Sequence, residues 1–291
     1  MIKACIFDLD GTLTDTLSSI AYSTNRMLAK EGLMPLPRND YRFYAGNGAV
    51  ELVKACLRHT KRAEALETKA EGAAAGSEKR TTETGQTEMA QANAHEDADR
   101  NMEETSAGEK EKEKQYEADT KALFALPQNP GALTHSPDSA ADFSYYFDSY
   151  LHEFSKYCMY QVQPFPGIVP LLKTMKQRGI RIAVLSNKPD AQVKTVVSQV
   201  FGAGFFDAVS GQKEGIPRKP SPIGALHIAQ EFGAAPSDCL YFGDTNTDMQ
   251  TGNAAGMHTV GVLWGFRDRE ELEQNHAEAI VEKPAEILKL L

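Results

Sequence analysis

Two carboxylates, two residues apart, stand near the amino terminus in Asp8-Leu9-Asp10-Gly11-Thr12. On extended backbone they would face opposite sides, but Gly11 permits a turn that brings both toward one ligand. Such a pair divides labour: Asp8 attacks a phosphorus atom and Asp10 handles protons. Taken alone, Asp-x-Asp reads equally well as a plain loop or a calcium-like site. Ser186-Asn187-Lys188 offers a hydroxyl and backbone N–H groups that suit phosphate oxygens at a strand-to-helix turn, where the helix amino terminus carries partial positive charge. An N-cap is the alternative reading. Lys219, within Arg218-Lys219-Pro220-Ser221-Pro222, sets an ammonium in a proline-stiffened loop where it can neutralise transferring oxygens. A solvated lysine is the plain reading there, and Arg218 competes for the part. Gly243-Asp244-Thr245-Asn246-Thr247-Asp248 places two further carboxylates four residues apart around a tight turn. These are donors for a hard divalent cation, with helix capping by Asp248 as the other reading.

The elements that must position these residues follow from the apolar pattern. Ile2 to Phe7 is short, β-branched and aromatic and runs straight into the first acidic pair, as a buried central strand does. Helical spacing follows at Leu17, Ile20, Ala21, Thr24 and Leu28, and again at Ala49, Val50, Val53, Cys56 and Leu57. Phe143, Phe147, Tyr150, Leu151, Phe154 and Cys158 form an aromatic stripe read as core packing, and Gln163 to Gly167 reads as a stiff linker. Beyond it, helix and strand alternate: helices over 169–178, 191–200, 223–232 and 248–255, strands over 181–185, 208–210, 239–242 and 259–262. That rhythm predicts an α/β fold, a doubly wound, Rossmann-like parallel sheet, with the other segments just past the carboxyl ends of its strands. Residues 1–14 and 164–291 then make the core, and 15–163 an inserted α-helical cap domain.

Inside the cap, residues 61–141 change to Glu, Lys, Ala, Thr, Gly and Gln, too little apolar surface to offset the entropy of ordering. This low-complexity insertion is expected to be mostly disordered, with Gly108 to Lys121 as a solvated single helix in the alternative. Deleting residues 65–138 is expected to leave a folded protein. A net charge of −9 argues against a nucleic-acid surface. The four dispersed cysteines read as reduced thiols, and neither an export signal nor an apolar run long enough for a bilayer stands out, so a cytoplasmic protein with no membrane partner is expected.

The four segments, in this order, resemble the motifs of the haloacid dehalogenase superfamily, over residues 1 to about 60 and 143 to about 270. The helical cap, Tyr41 to Gly48 and Trp264-Gly265-Phe266-Arg267 look most like its phosphoglycolate phosphatase branch; Gly46-Asn47-Gly48 would close over substrate or simply make a turn. The resemblance implies a Mg²⁺-dependent phosphatase acting on a small phosphorylated metabolite, as a monomer or homodimer. Asp8 would be the nucleophile, and Asp10 the general acid and then base. Asp8, the backbone carbonyl of Asp10, Asp244 and Asp248 would hold Mg²⁺, and Ser186, Asn187, Lys219 and Gly11 would bind or orient the phosphoryl group. A phosphomutase of the same fold and a partner-binding role for the insertion are the rival readings.

Overall fold

The computed structural model describes residues 2–60, 99–124 and 140–291. β1 (Ala4–Phe7) is buried at every residue. Ala4 and Ile6 pack into one hydrophobic cluster and Cys5 and Phe7 into another, the two-residue alternation of a strand covered on both faces. The chain then makes β2 (Thr14–Asp15), whose antiparallel partner is β3 (Gln163–Pro164). The segment expected to be a bare stiff linker is thus half of a two-stranded ladder through which the chain leaves and rejoins the core.

Strands β4 (Arg181–Pro189), β5 (Ala208–Gln212), β6 (Cys239–Gly243), β7 (His258–Val262) and β8 (Ala279–Val281) complete a six-stranded sheet in the order β5-β4-β1-β6-β7-β8. Every pairing in it is parallel. The α/β, doubly wound reading therefore holds, with β1 central. β8 escapes a sequence reading because three residues are too few to show a period. β4 also runs four residues beyond the expected end, carrying Ser186, Asn187 and Lys188 on the strand itself, with a register shift between Leu185 and Pro189.

Between β2 and β3 lie α1 (Leu17–Lys30), α2 (Tyr41–Tyr44), α3 (49–60), α4 (Asp99–Phe124) and α5 (Ala140–Tyr157). They enclose a third cluster that includes Ile20, Leu28, Tyr41, Val53, Leu57, Tyr150 and Phe154, a helical cap with its own interior. On the core, α6 (Ile168–Gln177) and α7 (Asp190–Phe201) cover one sheet face. α8 (Ile223–Glu231) and α9 (Asn246–Ala255) cover the other, and α10 (Arg269–Gln274) precedes β8. No helix among the described residues is long and apolar enough to cross a membrane.

α4 corrects the expectation for the insertion. Its residues from Gly108 to Lys121 are neither disordered nor a solvated helix: Tyr116 and Leu123 are buried in the cap cluster. The low-complexity reading failed here because two large side chains, seven residues apart on one helix face, suffice to dock an otherwise charged helix. Tyr116 also completes a polar knot. The buried Asn25 donates to Leu36 O (2.9 Å) and Tyr116 Oη (2.8 Å) and accepts from Leu36 N (2.9 Å) and Tyr41 Oη (2.7 Å). Every hydrogen-bonding site of that amide is thereby used. Glu113 pairs with Arg38 at 3.2 Å and Lys112 with Asp15 of β2 at 3.5 Å, tying α4 to the entrance of the cap. The rest of the insertion, 61–98 and 125–139, lies outside the described residues.

Removing residues 65–138 would strip this helix from α1, so the sequence-based expectation of a tolerated deletion is reversed. Tyr116→Ala should lower stability by about 3–5 kcal/mol through cavity formation. Tyr116→Phe, which leaves an Asn25 N–H without an acceptor, should cost about 1–3 kcal/mol. Denaturant unfolding of the two variants beside the wild type measures both.

Candidate active site

β1, β4 and β6 end side by side, and the side chains just past those ends converge. Asp8 follows β1, with its amide bonded to Phe242 O at 2.9 Å. Asp244 and Asp248 follow β6, the latter in the first turn of α9. Acceptor atoms of Asp8, Asp244 and Asp248 lie within 4.8 Å of one another, all three residues buried. Lys219 reaches between them, its Nζ at 2.7 Å from both Asp8 Oδ1 and Asp248 Oδ1. One ammonium among three carboxylates leaves the cluster short of positive charge. Its donors are hard oxygens of the kind that hold a small divalent cation, so the residues fit such an ion.

Each carboxylate is also fixed from behind. Asp244 accepts from Thr12 Oγ1 at 3.0 Å and from the Phe266 amide at 2.8 Å. Gly11 makes this possible: its φ is +87°, and a Cβ there would stand 2.2 Å from Asp244 Oδ2. The Gly11 amide is taken by Thr14 O at 3.0 Å, so its part is to leave room rather than to bind phosphate as expected. Asp248 bears out its capping reading while leaving its other oxygen directed into the carboxylate cluster. Oδ2 caps α9 through Thr245 N (3.2 Å) and Thr245 Oγ1 (2.7 Å), while Oδ1 meets Lys219.

Asp10 stands apart from the three clustered carboxylates. Its Oδ1 lies 2.7 Å from the Nζ of Lys188, itself buried at the end of β4. The sequence motif points to Ser186 and Asn187 but not to Lys188, whose only signal is its place two residues after Ser186. Ser186 and Asn187 are not an N-cap, since α7 begins after Pro189. Asn187 instead joins three elements: its Oδ1 accepts from Lys219 N (2.9 Å), and its Nδ2 donates to Lys219 O (3.1 Å) and to Gly46 O of the cap (3.2 Å). Arg218, the suggested rival of Lys219, turns outward to Glu51 at 3.4 Å.

The cap closes over this arrangement. Gly46 and Gly48 both adopt positive φ, as the turn reading expects, and Asn47 Oδ1 accepts from Thr247 Oγ1 at 2.7 Å, which seats this turn on the core. Arg267 donates to the carbonyls of Arg42, Phe43 and Ala45, latching the cap to the segment that supports Asp244. What remains between the two halves is a cavity of about 40 Å³. Asp8, Asp10, Ser186 and Lys188 line its core side, and Leu52, Tyr150 and Phe154 belong to the cap side. The aromatic stripe of α5 therefore packs the cap and walls the cavity together.

Burial pushes the Asp8 carboxyl up to about 7, against the pull of Lys219, and the Asp248 and Asp10 charges add to the rise. Asp244 is held well above the usual carboxylate range by burial and by the charges of Asp248 and Asp8. For Lys219, burial favours the neutral amine, but Asp248 and Asp8 outweigh it and hold its pKa well above the ordinary lysine value.

The sequence profile of the hydrolase family described as haloacid dehalogenase-like matches residues 2–256. A phosphoglycolate phosphatase of Nitrosospira multiformis is 25% identical over 290 residues, covering 100% of this chain and 96% of the relative. One from Pseudomonas putida is 23% identical over 280 residues, covering 96% and 76%. The solved haloacid dehalogenase-like family protein from Streptococcus pneumoniae superposes with a TM-score of 0.66 at 17% identity, covering 99% of this chain and 98% of its own.

Raised carboxylate pKa values make the metal-free protein bind more protons folded than unfolded between pH 3.8, the ordinary Asp value, and about 7. Its stability from these groups should therefore fall as pH rises across that window. Thermal unfolding in EDTA should occur at lower temperature at pH 7.5 than at pH 5.5. Adding Mg²⁺ should raise the midpoint more at the higher pH, and Asp244→Asn should flatten the dependence.

Proposed function

The chain belongs to the haloacid dehalogenase-like hydrolase family, and from that premise we propose that it is a Mg²⁺-dependent phosphatase acting on a small phosphomonoester through an acyl phosphate on Asp8. The observation that carries this reading is the convergence of Asp8, Asp244 and Asp248 at strand ends, with Lys219 bound to Asp8 and Asp248 and with Asp8 and Asp10 lining one cavity. The printed names of the two full-length relatives support the choice of phosphomonoester.

In this reading Asp8 attacks phosphorus in line with the departing alcohol. Asp10 gives that alcohol its proton as the phosphorus–oxygen bond breaks. Asp10 then takes a proton from water, which attacks the phosphorus of the acyl phosphate, frees inorganic phosphate and restores the Asp8 carboxylate. Ser186 and Lys219 hold phosphoryl oxygens, and Asn187 orients Lys219 through both sides of its backbone. Asp8, Asp244, Asp248 and the backbone carbonyl of Asp10 would hold Mg²⁺, which supplies positive charge to an anion attacking an anion. Residues 1–14 and 164–291 act as the catalytic core and 15–163 as the cap, whose closure excludes water from the cavity. The apolar cap wall of Leu52, Tyr150 and Phe154 next to the phosphoryl site favours a compact leaving group.

The direct test is phosphate release from phosphoglycolate, hexose phosphates and pyrophosphate, with Mg²⁺ and with EDTA. Release should require Mg²⁺ and favour the smallest ester. Asp8→Asn should abolish it, and Asp10→Asn should lower it by about 10²- to 10⁴-fold. Wild-type turnover in Asp8→Asn, confirmed free of deamidation, would overturn the assignment. Transfer of the phosphoryl group to a sugar in place of water would do the same.

A further inference from the structure

We propose that Lys188 determines substrate specificity by binding a second anionic group, a carboxylate, set close to the phosphate ester. This rests on the phosphatase reading and concerns what distinguishes one phosphomonoester from another in that site. Lys188 is 5% exposed, and it lines the cavity together with Asp8, Asp10 and Ser186. Its ammonium has three N–H donors. One meets Asp10 Oδ1 at 2.7 Å, and the Phe154 ring of the cap stands 4.8 Å from Nζ. No second carboxylate is paired with it among the described residues, in contrast to Lys219, which is shared by two.

The surroundings select the chemistry of its partner. The cap side of the cavity is made by Ile20, Ala45, Ala49, Leu52, Tyr150 and Phe154, which offer no charged side chain. Lys219 does not line the cavity, so among the described residues Lys188 is its only cationic wall. An anion brought here is desolvated beside one buried ammonium, where a charge-assisted hydrogen bond is strongest. A bulky polyol would leave its hydroxyls facing apolar side chains, at the cost of unpaired polar groups.

Geometry sets the distance between the two anions. Asp10 must reach the ester oxygen over one hydrogen bond of about 2.7–3.0 Å, and Lys188 reaches the same Asp10 carboxylate over another of 2.7 Å. The ammonium therefore lies within about 6 Å of the ester oxygen if both bonds share one Asp10 oxygen and about 8 Å if they use the two, and its own bond to a carboxylate uses about 2.8 Å of that span. A carboxyl carbon one or two carbons from the ester oxygen satisfies both contacts. A carboxylate farther along an extended chain would overshoot the ammonium.

The test uses the full-length, Mg²⁺-loaded protein and four esters: phosphoglycolate, ethyl phosphate, O-phosphoethanolamine and 4-phosphooxybutanoate. They place a negative, neutral or positive group near the ester, or move the carboxylate away. The wild type should turn over phosphoglycolate with a kcat/KM about ten- to a hundredfold above ethyl phosphate, with O-phosphoethanolamine lowest and 4-phosphooxybutanoate near the neutral ester. Lys188→Met should remove most of that preference, chiefly through KM, and Lys188→Arg should restore part of it.

Equal kcat/KM across the wild-type charge series would overturn the proposal whether or not the variants fold, while leaving the phosphatase reading intact. Equal losses on phosphoglycolate and ethyl phosphate in Lys188→Met, expressed in kcat, would also overturn it, since Lys188 would then act through Asp10 alone. Absence of hydrolysis of every ester by the wild type would reject the phosphatase reading, and this proposal with it.

Discussion

Three buried carboxylates held within 4.8 Å of one another, with one lysine ammonium between them, are the condition to which the surrounding structure answers. Such a cluster is costly in a low-dielectric interior, and it persists only because neighbouring groups remove every softer arrangement. Asp244 is bonded through both oxygens, Asp248 is locked into the cap of α9, and Lys219 is clamped at its backbone by Asn187. Backbone approaches that leave no space for a side chain complete the enclosure. A Cβ on Gly265 would lie 2.3 Å from Asp244 Cβ, and one on Gly243 would lie 2.1 Å from Asp248 Cβ. The site is rigid because its repulsion is contained mechanically.

Containment extends into the cap. Asn187 touches the lysine loop and Gly46 together, Thr247 at the start of α9 bonds Asn47, and Arg267 takes three cap carbonyls from a position next to the Phe266 amide that holds Asp244. The residues that organise charge in the core are thus the same residues, or immediate neighbours of those, that seat the cap. Cap closure and order in the carboxylate cluster share their hydrogen bonds, so neither can relax without loosening the other.

The parallel sheet and the placement of Asp8, Ser186 and Asp244 were legible because each of these residues lies where an apolar run meets polar residues, and Lys219 because prolines mark its loop, signals local in sequence. What escaped was of two kinds. Some features depend on a partner far along the chain: the Lys188 contact with Asp10, the support of Asp244 by Thr12, and the β2–β3 ladder join segments more than 100 residues apart. Others are too sparse for any periodicity. β8 has three residues, and the docking of α4 rests on Tyr116 and Leu123 in a helix otherwise rich in charge. Composition averaged over that stretch hides two anchors, and tertiary packing acts on the anchors.

The position of β1 has a consequence for how the chain is made. Among the six strands of the sheet it is made before the other five and lies inside the finished order, yet its neighbours begin only at Arg181 and Cys239. Until then Ala4-Cys5-Ile6-Phe7 has neither of its sheet neighbours, while the cap helices, all made before Arg181, can already associate. Synthesis therefore passes through an interval in which the cap can gather around its own interior while the central strand waits as an apolar segment open at both edges.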